Sequence, residues 1–213
     1  VIELRAEQIS HRYGTTVVLR NLSFTVAQGT VLGCIGRNGS GKSTLLRVLA
    51  GLLIPTAGTV ELSCMQGRSS DPFWRRMHCG IAAPAIALYD ELRVDEHIEF
   101  HCQCRGYSTS DPLIETFLVE SGLDRYRSYR IGELSSGMVQ RVKLMLAFLG
   151  NPPLVLLDEP SMNLDADGIA VLGRWIERHA PESIIIVATN VSTDLAWCTT
   201  TLSLDTTDPL TLP

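Results

Sequence analysis

Apolar and polar residues alternate over roughly the first 27 positions, as Ile2-Glu-Leu-Arg-Ala6 and then Val17-Val-Leu-Arg-Asn-Leu-Ser-Phe-Thr-Val26. A period of two predicts antiparallel strands, joined here by a turn at Tyr13-Gly14-Thr15. The pattern then changes. Thr30-Val-Leu-Gly-Cys-Ile35 is a short, nearly continuous apolar run of the kind a buried strand makes. Ser43-Thr-Leu-Leu-Arg-Val-Leu-Ala50 spaces its apolar residues as a helix does, and Gly51 ends it. Residues 59–63 predict another strand, 66–71 a polar loop and 79–83 a short strand. From about Tyr89 the spacing becomes helical, over 94–104, 112–121 and 138–149, so a helical insert spans roughly 90–150. Strand (154–158), helix (166–179) and strand (183–188) then alternate as in a parallel α/β core.

Composition narrows the picture. With 45% hydrophobic residues among 213, the chain can bury a substantial core and does not read as disordered. A net charge of −5 and the absence of any basic run argue against a nucleic-acid partner. No apolar run approaches the ~18–20 residues of a membrane span, and no secretory leader is expected. Cys34, Cys64, Cys79, Cys102, Cys104 and Cys198 form no compact framework, which points to a reducing, cytosolic location.

The chemistry begins at Gly36-Arg-Asn-Gly-Ser-Gly-Lys-Ser-Thr44, which fits G-x-x-x-x-G-K-[ST] between a strand and a helix. Glycines let such a loop curl around a polyphosphate, and the following helix adds its positive end. Lys42 would neutralise the phosphates and the Ser43 hydroxyl would ligate Mg²⁺. A second signal is Pro153-Leu-Val-Leu-Leu-Asp-Glu-Pro160, an apolar strand ending in two acids. In P-loop enzymes a strand-end acid such as Asp158 completes the Mg²⁺ site. A following acid such as Glu159 can polarise the attacking water. The third is Leu134-Ser-Ser-Gly-Met-Val-Gln-Arg141 at a helix start, either another anion site or an ordinary N-cap.

The order of these motifs, followed by Ser161-Met-Asn-Leu-Asp165, resembles the nucleotide-binding domain of ABC ATPases over about residues 2–204. The resemblance implies an α/β fold: a P-loop NTPase core with an antiparallel β subdomain and a helical signature subdomain, one cassette over 1–213. It implies ATP and Mg²⁺ as cofactors, with Gly36, Asn38, Gly39, Ser40, Gly41, Lys42, Ser43 and Thr44 around the phosphates. Tyr13 takes the place of the aromatic that stacks on adenine, with local turn packing as the plainer alternative. Ser135 and Gly137 would face the γ-phosphate held by a second cassette, alike or unlike, and Asp165 would sit at the seam between the two. The implied role is the cytoplasmic ATPase of a transporter of the export type, peripheral on the inner face of the cell membrane. A transmembrane subunit would be its partner. Phe73, Tyr89 and Leu92 would then be apolar anchors for it, with core packing the alternative.

Departures from the family pattern predict slow hydrolysis. Pro84 stands where a glutamine amide usually reaches Mg²⁺ and the water, and proline has no such amide. Asn190 stands where a histidine usually contacts the γ-phosphate; it can donate a hydrogen bond but cannot carry charge. An ATP-binding switch with very weak hydrolysis is therefore the second reading, and a non-transport ABC ATPase a third. His97, His101 and Cys104 share one face of the 94–104 helix, which reads as a helix face rather than a zinc site because four ligands are not assembled.

Overall fold

The computed structural model describes residues 1–205. Strand β1 (Glu3–Tyr13) folds back on β2 (Thr16–Ala27), with Tyr13 opposite Thr16 across the turn. The alternation works as anticipated: Leu4, Ala6 and Ile9 point inward, as do Leu19, Phe24 and Val26 on the partner strand. β4 (Ala57–Cys64) pairs with the other edge of β1, and β5 (Gly67–Ser69) extends the sheet in the order β2-β1-β4-β5. The polar segment 66–71 is thus not simply a loop. Gly67 lies opposite Cys64 and Ser69 opposite Leu62. Gly-Arg-Ser has no apolar alternation to announce a strand, and its neighbour supplies the pairing.

The second sheet is parallel, in the order β6-β7-β8-β3-β9, from β3 (Val31–Ile35), β6 (Cys79–Ala82), β7 (Leu154–Asp158), β8 (Ile184–Ala188) and β9 (Thr200–Ser203). Every residue of β7 and β8 is buried, as expected where both faces are covered. One face, with Leu32, Leu154, Leu156, Ile184 and Ile186, packs with α1 (Lys42–Leu49) and the antiparallel sheet. The opposite face, with Val31, Val155, Leu157, Ile185 and Val187, meets the helical segment and α6 (Ala166–His179). Strand pleating alone assigns alternate residues to the two cores.

The helices are α2 (Pro72–Met77), α3 (Val94–Arg105), α4 (Pro112–Ser121) and α5 (Ser136–Phe148). α5 starts two residues before the apolar spacing does. Ser135 is its N-cap, accepting the Met138 N–H at 3.3 Å, so Ser136 and Gly137 belong to its first turn. A single turn, α7 (Ser192–Leu195), and the edge strand β9 carry no periodic signal and were not anticipated.

Candidate functional site

The loop between β3 and α1 leaves α1 without a side-chain cap. Gly41 at φ 102° is the N-cap, so no side chain takes up the first N–H groups of the helix, a ready anion site. A Cβ on Gly36 would lie 2.5 Å from Ser40 Oγ, so the curl requires glycine. That Ser40 hydroxyl is buried with no partner among the described residues. The Arg37 N–H is taken by the Asp205 carboxylate at 3.1 Å, which confines the free donors to the helix side. Lys42 is 7% exposed, and Nζ donates to Gly36 O at 2.6 Å, Arg37 O at 3.3 Å and Asn190 Oδ1 at 2.9 Å. No carboxylate forms an ion pair with it among the described residues. A buried cation satisfied only by neutral oxygens is poised for an anion.

The ends of β7 and β8 bring the acids to the same edge. Asp158 is buried opposite Ala188. The Glu159 N–H donates to Ala188 O at 2.8 Å, and its φ of 48° puts a non-glycine residue in the left-handed region. Such a conformation costs of order 1–3 kcal/mol and clusters at functional sites. Burial raises the Glu159 pKa above the usual carboxylate range; Lys42 opposes this and Asp158 adds to it. Burial also pushes the Cys34 thiol up to about 12, with Lys42 acting against it, so this cysteine is a hydrophobe and no nucleophile. Asn190 bridges the two halves of the site, accepting from Lys42 and donating to Asn38 Oδ1. Lys42, Asp158, Glu159, Asn38 and Asn190 thus meet at the carboxyl edge of the parallel sheet, where ligands bind in open α/β folds.

The donor set suits the expected ligands. The orphan Ser40 hydroxyl, the glycine cradle and the uncapped helix start fit a polyphosphate. Ser43 and Asp158 offer oxygen donors beside it, and no group of three or more His, Cys, Asp or Glu among the described residues forms an all-protein cage. Oxygen ligands of this kind suit Mg²⁺.

The remaining predicted residues lie around this centre. Asp165 caps α6, accepting from Gly168 N at 2.8 Å, and pairs with Arg141 at 2.5 Å; the Gly168 N–H first and then Arg141 hold its pKa below the usual range. A Cβ on Gly137 would lie 2.7 Å from Asn163 O, so glycine allows the start of α5 to approach the loop before Asp165. Gln140 on α5 donates to Pro160 O at 3.0 Å, tying that helix to the segment after Glu159. Tyr13 ends β1, is 48% exposed, and makes an edge-to-face contact with His11. Pro84 follows β6 and lines a cavity with Gln140, Ser136 and Asn163, while Gln66 lies in the β4–β5 turn. Thr189 and Asp194, which also lie at this site, belong to no sequence motif. Thr189 adjoins Asn190, which was the one available signal.

A groove of about 220 Å³ lies between β6, the 86–89 segment, α3 and α5. His97, His101 and Cys104 all line it, and His97 Nε2 lies 3.0 Å from the Tyr89 N–H. Phe73 and Tyr89 are exposed and Leu92 is half-buried. Burial, with help from Arg105, lowers the His101 pKa to about 4; His179 is lowered by burial too. Unfolded histidine protonates near 6.5, so below that pH the unfolded chain binds protons the folded chain refuses. Stability is full above pH ~6.5 and declines as pH falls toward ~4. Urea midpoints measured from pH 7 to 5 are expected to fall, and His101→Gln to flatten that slope in part; an unchanged slope contradicts it.

A family model described as ABC transporter matches residues 19–162. The ABC-type transporter ATP-binding protein EcsA of Bacillus subtilis is 32% identical over 197 residues, covering 88% of this chain and 77% of that protein. The cytochrome c biogenesis ATP-binding export protein CcmA of Rhizobium etli is 35% identical over 193 residues, covering 88% and 87%. A solved structure described as the ATP binding subunit of an ABC transporter superposes with a TM-score of 0.82 at 29% identity, over 94% of this chain and 85% of that one.

Proposed function

This chain belongs to the ABC transporter family as an ATP-binding domain, and from that premise we propose that it binds and hydrolyses Mg-ATP in a head-to-tail pair of cassettes to drive export through a membrane partner. One observation carries the reading: the buried Lys42 ammonium, held by neutral oxygens, lies beside an uncapped helix start and the Asp158–Glu159 strand end. The names of EcsA and CcmA, a transporter ATP-binding protein and an export protein, favour transport and its direction.

In this reading Lys42 and the α1 N–H groups, with Gly36, Asn38, Gly39, Ser40, Gly41 and Thr44, bind and orient the triphosphate. Ser43 and Asp158 would hold Mg²⁺, which would supply charge neutralisation to the bound triphosphate. Glu159, with its raised pKa, takes the proton of the attacking water. Tyr13 stacks on the adenine. Ser135 and Gly137 face the γ-phosphate of the opposite cassette, and Asp165 lies at the seam. The transmembrane subunit docks at the groove that Tyr89 lines, with Leu92 and Phe73 as further apolar anchors. Residues 1–213, of which 206–213 lie outside the described residues, serve as one cassette, peripheral on the cytoplasmic face. No helix among the described residues is long and apolar enough to cross a membrane.

Light scattering with excess Mg-ATP tests the pairing. Glu159→Gln is expected to run as a dimer and the wild type as a monomer. Dimers from both favour a switch that fails to reopen. Monomers from both mean that the closed pair needs an unlike cassette or the membrane subunit, and a pair of like cassettes closed by ATP alone is ruled out.

Asn190 sets the expected pace. Its amide engages Lys42 and Asn38 but brings no charge to the γ-phosphate. Losing one transition-state donor typically costs ~10²-fold, so Asn190→His is expected to raise kcat by at least about 10-fold. Steady-state phosphate release checks this, and unchanged turnover removes the proposed penalty.

A further inference from the structure

Asp194 is fully buried, and its Oδ1 has no hydrogen-bond partner among the described residues. No cation pairs with it there either. A buried, half-satisfied carboxylate is a poor structural choice, since a neutral side chain could fix the same turn without the desolvation cost. Its single side-chain partner is informative. Thr189 Oγ1 lies 2.8 Å from Asp194 Oδ2 and 3.4 Å from Glu159 Oε2, and it accepts the Val191 N–H at 2.9 Å. Thr189 is also fully buried, with its own N–H donating to Cys34 O of the P-loop strand at 3.2 Å. One hydroxyl therefore stands between two carboxylates, with a single proton to give.

We propose that Asp194 is a positioning residue for ATP hydrolysis: it claims the Thr189 proton, so that the Glu159 carboxylate keeps its lone pairs for the attacking water. The distances set the preference, because the contact to Asp194 is shorter by more than half an ångström. The same hydroxyl, pinned by Asp194, fixes the turn that presents Asn190 to Lys42. A carboxylate at 194 is the one group that can only accept; an amide there can donate to Thr189 and turn its proton toward Glu159. A hydrogen bond to a charged acceptor makes that carboxylate a weaker base.

The inference rests on Glu159 being the residue that polarises water, and the test separates the two. Kinetics of Asp194→Asn, Glu159→Gln and the double variant are measured with Mg-ATP, with thermal melts alongside. Asp194→Asn is expected to lower kcat about 10-fold or more, the scale of one charged hydrogen bond, with KM for ATP within about 2-fold. In the Glu159→Gln background the same change is expected to add less than about 2-fold, because its effect runs through Glu159. Equal losses in both backgrounds, or no loss in the single variant, overturn the proposal. If Glu159→Gln itself hydrolyses normally, the reading of Glu159 fails, and the proposal fails with it. Should Asp194→Asn not fold, Asp194→Ser carries the same two expectations, since it too removes the acceptor-only carboxylate.

Discussion

Glu159→Gln is expected to lower kcat for ATP by about 10²–10⁴-fold while leaving nucleotide binding intact. The substitution keeps the shape of the side chain and removes its ability to take a proton. Lys42, the α1 start and Asp158 remain, so affinity for Mg-ATP is retained. The environment of Glu159 argues that the carboxylate is there to act as a base. It stands on a left-handed backbone after a fully buried strand, an arrangement that costs stability. Burial lifts its pKa above the ordinary carboxylate range, against the pull of Lys42. A base must be deprotonated, so kcat should fall as pH drops through that raised pKa, and Glu159→Gln should lose this limb. Phosphate release across pH and equilibrium binding of a fluorescent ATP analogue measure both halves. A variant that hydrolyses within a few-fold of wild type would assign proton abstraction elsewhere.

The parts of this site that were readable from sequence are those whose chemistry needs a fixed local spacing. Lys42 and Ser43 follow Gly41 because the loop and helix start form one continuous anion cradle. Asp158 and Glu159 close an uninterrupted apolar run, so their place at a strand end followed from pattern alone. Long periodic elements were equally plain: α4, β7 and α6 have the bounds the spacing predicts. What escaped was set by tertiary contact. β5 is a strand because β4 offers it a partner, and β9 because β3 does. Thr189 and Asp194 lie five residues apart around a single-turn helix, and nothing in Thr-Asn-Val-Ser-Thr-Asp announces that both are buried beside Glu159. The resemblance placed Asn190 at the site, and the contact to Lys42 shows what an amide does there.

Arg75→Met is expected to be the most destabilising single change outside the site, by about 3–5 kcal/mol. In sequence Arg75 reads as one of two adjacent basic residues after Phe73-Trp74 and attracts no notice. In the fold it is 2% exposed, although α2 is a helix of only six residues. Its guanidinium donates to Leu49 O at 3.3 Å and Val48 O at 3.4 Å, at the carboxyl end of α1, where the dipole is negative; Val48 O also accepts the Gly51 N–H at 3.1 Å. It also donates to Val60 O of β4 at 2.8 Å and Ser70 O after β5 at 2.5 Å. One side chain thereby joins the helix that carries Lys42 and Ser43 to the antiparallel sheet that carries Tyr13. Methionine fills similar volume but removes all four of these donations, leaving Val48 O with only the Gly51 N–H. Lysine has a single ammonium in place of a planar fork, so Arg75→Lys is expected to recover only part of the loss. For a chain of this size the cost corresponds to a fall in Tm on the order of 10 °C. Because α1 holds the phosphate cradle in register with the sheet, the ATP-induced rise in Tm should shrink as well. Calorimetry with and without Mg-ATP reads both. A variant that melts within 2 or 3 °C of wild type, roughly 1 kcal/mol, would mean that water satisfies those carbonyls and that this arginine does not hold α1 to the antiparallel sheet.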